Sequence, residues 1–363
     1  MATKPIEGEQ RAFMTGNEVV AWAALAADAH FMYGYPITPQ NEIMHYWTRL
    51  SPKFGRGFLQ TEDEISAGFS TIGGILGGKR CFTATGGPGN ILMQEPFSLA
   101  ESNRLPTVAV ITQRGGPSTG TVIYSQQELV MTTHGGNGEA ARIVYSVSSH
   151  QDLFDYTIKA FNVAWKYKFP TFVLGDGYQA KMREPVTIYD PALRGIEMVP
   201  TAPYLGAPGM PGVDRPPCQL HNCYNLEEEL LELVEGMMAD YEKMAPEIVE
   251  HDTFMLDDAE IVMIAHGITW RAVCEAIETL RGQGVKIGGF RPITVRPFPE
   301  QALRDAVKGK KKIMVVESSY GQMKHLVQQY LFGAEPVEMD SLCKPGICIA
   351  PESIVEKINT MMR

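Results

Sequence analysis

The sequence predicts an α/β protein built from two units, each around a parallel sheet. Strand and helix patterns alternate from residue 16 to about 185, and the alternation resumes at Ala259. Strands separated by helices imply parallel pairing through right-handed crossovers. Residues 186–257 break the rhythm, with Pro, Gly and Met crowded into 200–217 and a strongly acidic helix after them. A chain of 363 residues is long enough for two domains.

In chain order, small and apolar residues predict a helix over 17–29, opened by Gly16-Asn17. A strand-like run, 29–34, leads into Tyr35-Pro36-Ile37-Thr38-Pro39-Gln40. Each proline fixes its own φ and pushes the residue before it into extended geometry, so this loop is rigid and presents Thr38 in one orientation. It sits where open α/β sheets place ligands, at the carboxyl end of a strand. A structural turn and a binding site are equally good readings of the loop alone. A helix follows over 41–50, then a short strand at 58–61 and a helix from about 65 to 78. The strand 80–85 ends in Gly86-Gly87-Pro88-Gly89, which feeds a helix reaching Glu101. The strand 107–112 ends in Gln113-Arg114-Gly115-Gly116-Pro117-Ser118-Thr119-Gly120, and strands at 143–145 and 171–174 flank a long helix over 151–168.

The middle stretch reads as a linker crossing the surface, with its acidic helix over 226–244. The second unit then runs strand 261–265, helix 270–283, strand 286–290, a helix opened by Arg296-Pro297-Phe298-Pro299, strand 312–317 and helix 322–331, with a tail rich in Cys, Pro and Gly. The expected division is 1–185, 186–257 and 258–363.

A net charge of −10 argues against nucleic-acid binding, which needs a basic face. No apolar run of 18 residues occurs and residues 1–10 are too polar for a signal peptide, so the expectation is a soluble, cytoplasmic protein without membrane contact. The six cysteines form no Cys-x-x-Cys. Cys218 and Cys223 flank His221, and Cys343 and Cys348 bracket Lys344-Pro345-Gly346; free thiols are a better reading than a metal centre.

Several motifs resist their first interpretation. Gly73-Gly74-Ile75-Leu76-Gly77-Gly78-Lys79 has P-loop spacing, yet Arg80 stands where a magnesium-binding hydroxyl belongs, and the glycines close a helix instead of following a strand. Glycine costs about 1 kcal/mol per helical position, so Gly68, Gly73, Gly74, Gly77 and Gly78 predict close approach by a partner helix or subunit. Gly175-Asp176-Gly177 is half of a magnesium–diphosphate motif without its later asparagine, and reads as a turn. No G-x-G-x-x-G follows the first strand. Glu62-Asp63-Glu64 is either an acidic first helical turn or one carboxylate held for proton transfer at a subunit boundary. Arg114 can grip a substrate carboxylate in a bidentate pair or make a structural salt bridge.

Taken in order and spacing, Gly16-Asn17-Glu18, Tyr35-Pro36-Ile37-Thr38-Pro39, Glu62-Asp63-Glu64, Thr85-Gly86-Gly87-Pro88-Gly89, residues 113–120 and Glu317-Ser318-Ser319-Tyr320-Gly321-Gln322 resemble the alpha subunits of 2-oxoacid:ferredoxin oxidoreductases. The resemblance implies two transketolase-like domains, the first binding the pyrimidine of thiamine diphosphate and the second of the transketolase C-terminal type. It implies Glu64 as the activating glutamate (Glu62 is the runner-up), Thr38, Arg114 and Tyr35 as substrate-binding residues, Gly86 and Gly87 at the cofactor, and no metal ligand in this chain. Thiamine diphosphate would be shared with a beta subunit, with Mg2+ and a [4Fe-4S] cluster on partner chains. Coenzyme A would be the co-substrate and ferredoxin the acceptor, in a hetero-oligomer with two alpha copies, a beta, a gamma and in some forms a delta subunit.

The implied reaction is oxidative decarboxylation of a 2-oxoacid to acyl-CoA and CO2, or its reductive reverse, by a subunit inactive alone. Residues 113–120 resemble the 2-oxoglutarate enzymes, while Tyr178-Gln179-Ala180-Lys181-Met182-Arg183-Glu184-Pro185 resembles the branched-chain ones as much. The alternatives are the branched-chain or pyruvate member, a self-contained non-redox thiamine transferase, and a non-catalytic assembly subunit.

Overall fold

A computed structural model describes residues 5–210, 213–216 and 219–362. The chain begins β1 (Glu9–Thr15), α1 (Gly16–Ala26), β2 (Phe31–Gly34), α2 (Asn41–Leu50), β3 (Gly57–Gln60) and α3 (Glu64–Leu76). It continues β4 (Cys81–Thr85), α4 (Pro88–Leu92), α5 (Gln94–Ser102), β5 (Val108–Gln113), α6 (Leu129–His134), β6 (Ile143–Ser146), α7 (His150–Tyr167), β7 (Thr171–Asp176), α8 (Gly177–Lys181) and β8 (Arg183–Tyr189). The remainder is α9 (Glu227–Ile248), β9 (His251–Phe254), β10 (Ile261–Ile264), α10 (Thr269–Gly282), β11 (Ile287–Pro292), β12 (Thr294–Arg296), α11 (Glu300–Val307), β13 (Lys312–Glu317), α12 (Gln322–Tyr330), β14 (Glu338–Cys343) and α13 (Pro351–Met361).

Seven strands form the first sheet in the order β12-β6-β7-β5-β4-β2-β3, and five form the second as β14-β13-β10-β11-β9. Pairing is parallel throughout except at two edges, where β12 runs antiparallel to β6 and β9 antiparallel to β11. β12 lies in sequence between β11 and β13 of the second sheet yet completes the first. A separate ribbon pairs β1 with β8, antiparallel from Glu9↔Tyr189 to Thr15↔Arg183. The ribbon, β14 and α13 are absent from the expectation, which gives the last two only as a tail rich in Cys, Pro and Gly.

Apolar burial orders the layers. Val19, Val20 and Ala23 of α1, Ile43 and Trp47 of α2, and Leu153, Phe154 and Ile158 of α7 cover one face of the first sheet. Full burial of such large side chains contributes about 1.5–3 kcal/mol each. A second cluster runs between the sheets, joining Phe97, Leu129 and Phe172 to Ile264, Phe290, Leu303 and Met323. The outer face of the second sheet is closed by α10 and α13 through Val273, Ile277, Ile354 and Ile358.

The acidic helix α9 changes character along its length. Its first turns are exposed, whereas Met237, Tyr241, Met244 and Ile248 pack on Ile143, Tyr145, Val163 and Phe169 of the first unit. Part of the glycine-rich face of α3 is filled by the chain itself: a Cβ at Gly68 would meet Pro96, and one at Gly74 would meet Cys81 and Tyr33. Only Gly73 faces open space on that helix. The proline-rich loop closes the end of α3, where the Tyr204 and Leu205 amides donate to Leu76 O (2.9 and 3.0 Å). Cys81, Cys223, Cys274, Cys343 and Cys348 are free thiols, while Cys218 lies outside the described residues.

Candidate functional site

Five strands of the first sheet release their chains at one edge. The 35–39 loop follows β2, the turn before α3 follows β3, Gly86 and Gly87 follow β4, Arg114 follows β5, and Gly177 follows β7. Parallel strands aim all their carboxyl ends the same way, so residues far apart in sequence converge there.

The acidic triplet divides into three environments. Asp63 caps α3, its Oδ1 accepting from the Ser66 amide (2.7 Å). Glu62 is exposed. Glu64, the first residue of α3, turns inward and is 5% exposed. Burial raises its pKa above the ordinary carboxylate value, and the neighbouring Asp63 charge adds to this; its own amide and the Arg114 charge oppose it. A Cβ at Gly89 would run into the Glu64 side chain and the Thr85 hydroxyl, so glycine is required for that approach.

Arg114 is also buried, 5% exposed, and joins the rigid loop directly: Nη1 donates to Thr38 O (2.8 Å). The loop is braced from within by Gln40 Nε2 to Tyr35 O (2.9 Å) and from α1 by Asn17 Nδ2 to Pro39 O (2.9 Å). The Arg114 side chain lies over Gly87, whose φ of 58° and lack of Cβ make room for it. Beneath them sits Glu128, whose Oε1 accepts from the amides of Gly87 (2.7 Å) and Arg114 (2.8 Å), while Oε2 accepts from Asn90 Nδ2 (3.0 Å). Its pKa is raised by burial, against the pull of those donors and of the Arg114 charge.

Three buried polar atoms here lack partners: Arg114 Nε, Thr85 Oγ1 and Gln40 Oε1. An unpaired buried polar group costs about 1–3 kcal/mol, so a cluster of them beside a buried carboxylate marks a place for a polar ligand. The glycines of the turn let Thr112 O, the Arg114 side chain and the Glu64 side chain close onto Gly86, Gly87 and Gly89, and the buried Glu64 carboxyl suits a ring nitrogen. Asp176 is unavailable for a diphosphate-bound metal. It is 1% exposed and caps α8 by accepting from the Tyr178 and Gln179 amides (3.0 and 3.1 Å), with a further bond from the Ile268 amide. Burial pushes its pKa up to about 6. The residues present therefore fit the pyrimidine end of thiamine diphosphate and leave its diphosphate to be held elsewhere.

Thr38, Tyr35, Glu64, Gly86, Gly87 and Arg114 thus lie at one sheet edge. Sequence reasoning missed Glu128, Asn90 and Gln40 as parts of it. A glutamate after two glutamines carries no local signature, and its significance comes from two amides 41 and 14 residues away.

A family model described as pyruvate flavodoxin/ferredoxin oxidoreductase, thiamine diphosphate-binding, matches residues 22–252, and one for core domain II of pyruvate:ferredoxin oxidoreductase matches 259–346. The chain is 35% identical over 375 residues to the 2-oxoglutarate synthase subunit KorA of Methanothermobacter marburgensis, covering 96% of this chain and 98% of that one. It is 33% identical to the ketoisovalerate oxidoreductase subunit VorB of Methanothermobacter thermautotrophicus, over 94% of this chain and 96% of that one. The 2-oxoglutarate:ferredoxin oxidoreductase of Magnetococcus marinus, solved with 2-oxoglutarate, coenzyme A and succinyl-CoA, superposes with a TM-score of 0.84 at 26% identity. That match covers 97% of this chain, which spans 65% of that longer one. A split-gene transketolase at 11% identity, with a TM-score of 0.57, shows that the fold is transketolase-like. The chain belongs to the pyruvate flavodoxin/ferredoxin oxidoreductase family, as a subunit of a 2-oxoacid oxidoreductase.

Proposed function

We propose that the chain is the alpha subunit of a 2-oxoglutarate:ferredoxin oxidoreductase. It would work with a beta subunit holding the diphosphate, Mg2+ and a [4Fe-4S] cluster, with coenzyme A as co-substrate. The observation that carries this reading is the convergence of Glu64 and Arg114, both buried, on the Gly86–Gly89 turn beside polar atoms without partners. When bound, thiamine diphosphate supplies the carbon nucleophile for the 2-oxoacid carbonyl and the electron sink that lets CO2 depart.

The residues of this chain supply the rest. Burial makes the Glu64 carboxyl hold its proton more readily than an ordinary carboxylate, which suits it to hydrogen-bonding the pyrimidine nitrogen. The guanidinium of Arg114, tied to the loop by Nη1, keeps Nε free to meet a 2-oxoacid carboxylate. Thr38, held in the braced loop, offers a half-buried hydroxyl beside it. 2-Oxoglutarate is favoured as substrate by the KorA relatives; a branched-chain 2-oxoacid is the second reading, on the VorB match and residues 178–185.

The test is purification of the native complex, identification of its chains, and dye reduction with coenzyme A and 2-oxoglutarate, 2-oxoisovalerate or pyruvate. A kcat/KM highest for 2-oxoglutarate is expected; a higher value for another 2-oxoacid reassigns the substrate. Tight thiamine diphosphate binding by the isolated chain would overturn the shared-site reading. Thr38→Val should raise KM for the 2-oxoacid while the complex still assembles, and unchanged kinetics would return that loop to a purely structural role.

A further inference from the structure

Glu128 occupies the N-cap position of α6 but its side chain makes no capping bond to that helix. It points instead into the site edge, where a single oxygen accepts both the Gly87 and the Arg114 amides. These amides belong to two different strand ends, β4 and β5, and each carries a residue of the proposed site. We propose that Glu128 is a positioning residue for recognition of the 2-oxoacid carboxylate: it fixes Arg114 against the Gly86–Gly87 turn, so that the guanidinium meets the substrate already aligned. The inference rests on the reading of Arg114 as the group that meets the 2-oxoacid.

Two further contacts fix Glu128 itself. Asn90 Nδ2 donates to its second oxygen and also to Thr132 Oγ1 (3.1 Å). Its own amide donates to Gln113 Oε1 (3.3 Å), on the last residue of β5. Two residues before it, Gln126 is locked to the second unit: its amide donates to Ser318 O (2.8 Å), its Oε1 accepts from the Ser318 amide (2.9 Å) and Thr269 Oγ1 (2.9 Å), and its Nε2 donates to His266 O (2.7 Å). The line of contact therefore runs from the second sheet through Gln126 to Glu128, and from there to both faces of the site. A carboxylate suits this task because charge-assisted bonds from two amides to one oxygen are shorter and stronger than those to a neutral acceptor. An amide in its place would turn an NH2 toward Asn90 Nδ2, donor against donor.

The experiment uses the assembled complex carrying Glu128→Gln, Arg114→Gln, or both. Weakening the hold on Arg114 removes binding shared by ground and transition states. Glu128→Gln should therefore raise the 2-oxoacid KM about tenfold, the effect of roughly one hydrogen bond, with kcat falling no more than about twofold. The double variant should be no worse than Arg114→Gln alone. Amide hydrogen exchange over 86–90 and 113–117 should quicken in Glu128→Gln, with the five-stranded sheet unchanged. If Glu128→Gln does not assemble, Glu128→Asp, which keeps the charge with a shorter reach, should show the same KM-only pattern. An unchanged KM, or fully additive effects in the double variant, overturns the positioning role. A wild-type KM in Arg114→Gln overturns instead the reading of Arg114 on which it rests.

Discussion

Two buried glutamates, one in each unit, are treated in opposite ways. At the end of β13, Glu317 is fully buried and its carboxylate is spoken for by the Met323 amide (2.9 Å), the Lys324 amide (3.0 Å) and the Ser319 hydroxyl. At the start of α3, Glu64 is nearly as buried, yet its neighbours Thr85 Oγ1 and Arg114 Nε have no partner. Among the described residues of the second unit the buried orphans are His266 Nε2 and Arg291 Nε. Burial pushes the His266 imidazole down to about 3, keeping it neutral, and the Arg291 guanidinium is paired through its other nitrogens with Asp152 and Asp252. A carboxylate ringed by satisfied donors holds structure together; one ringed by unsatisfied donors is kept for a ligand.

The largest effect that would break this contrast lies at Glu64. Glu64→Gln should lower kcat about 10²–10⁴-fold, the range for a lost acid–base group. It should not lower stability. The folded pKa of Glu64 stands above its ordinary value, so its contribution to stability is present at low pH and lost as pH rises through the folded value. The glutamine is free of that loss, and a melting temperature at pH 7 equal to or above wild type is the expected result. A clear drop in Tm would mean that Glu64 is structural like Glu317.

Glu317→Gln should show the converse. Replacing one accepting oxygen by an NH2 leaves a buried donor facing a donor, which costs about 1–3 kcal/mol. Thermal unfolding of the complex should fall accordingly, while KM for the 2-oxoacid in the surviving complex stays at the wild-type value. A changed KM would show that the second unit reaches the chemistry.

The smallest effect sharpens the comparison at Asp176, a capping carboxylate inside the first unit. With its pKa raised from 3.8 to about 6, its stability contribution is present below pH 3.8 and lost as pH rises through 6. Asp176→Asn caps nearly as well and does not ionise. Its Tm relative to wild type should therefore climb between pH 4 and pH 7, by at most about 3 kcal/mol in stability terms. A flat difference would show that folding leaves the Asp176 pKa where it stands in the unfolded chain.

Much of this was legible because the informative residues are chemically unusual where they stand. The double-proline loop, the Gly86–Gly87 turn and Arg114 after an apolar strand each break a local pattern, and the bounds of α2 agree with expectation to the residue. What escaped depends on distant partners. β14 is Glu338–Cys343, a run with two acids and no β-branched residue, and it is a strand because β13 lies alongside it in register. β1 and β8 are mostly exposed along one strand and define each other by pairing across the whole first unit. Glu128 follows the same logic at the site.

The strand β12 has a consequence for how the molecule comes into being. As the ribosome releases the chain, every other strand of the first sheet is available by Asp176, but the edge beyond β6 stays open until Thr294 to Arg296 has emerged more than 100 residues later. Until then β6 offers a bare row of amides and carbonyls to any extended peptide nearby. The last strand of the first sheet is thus supplied by the second unit, so the first unit by itself would keep that edge bare.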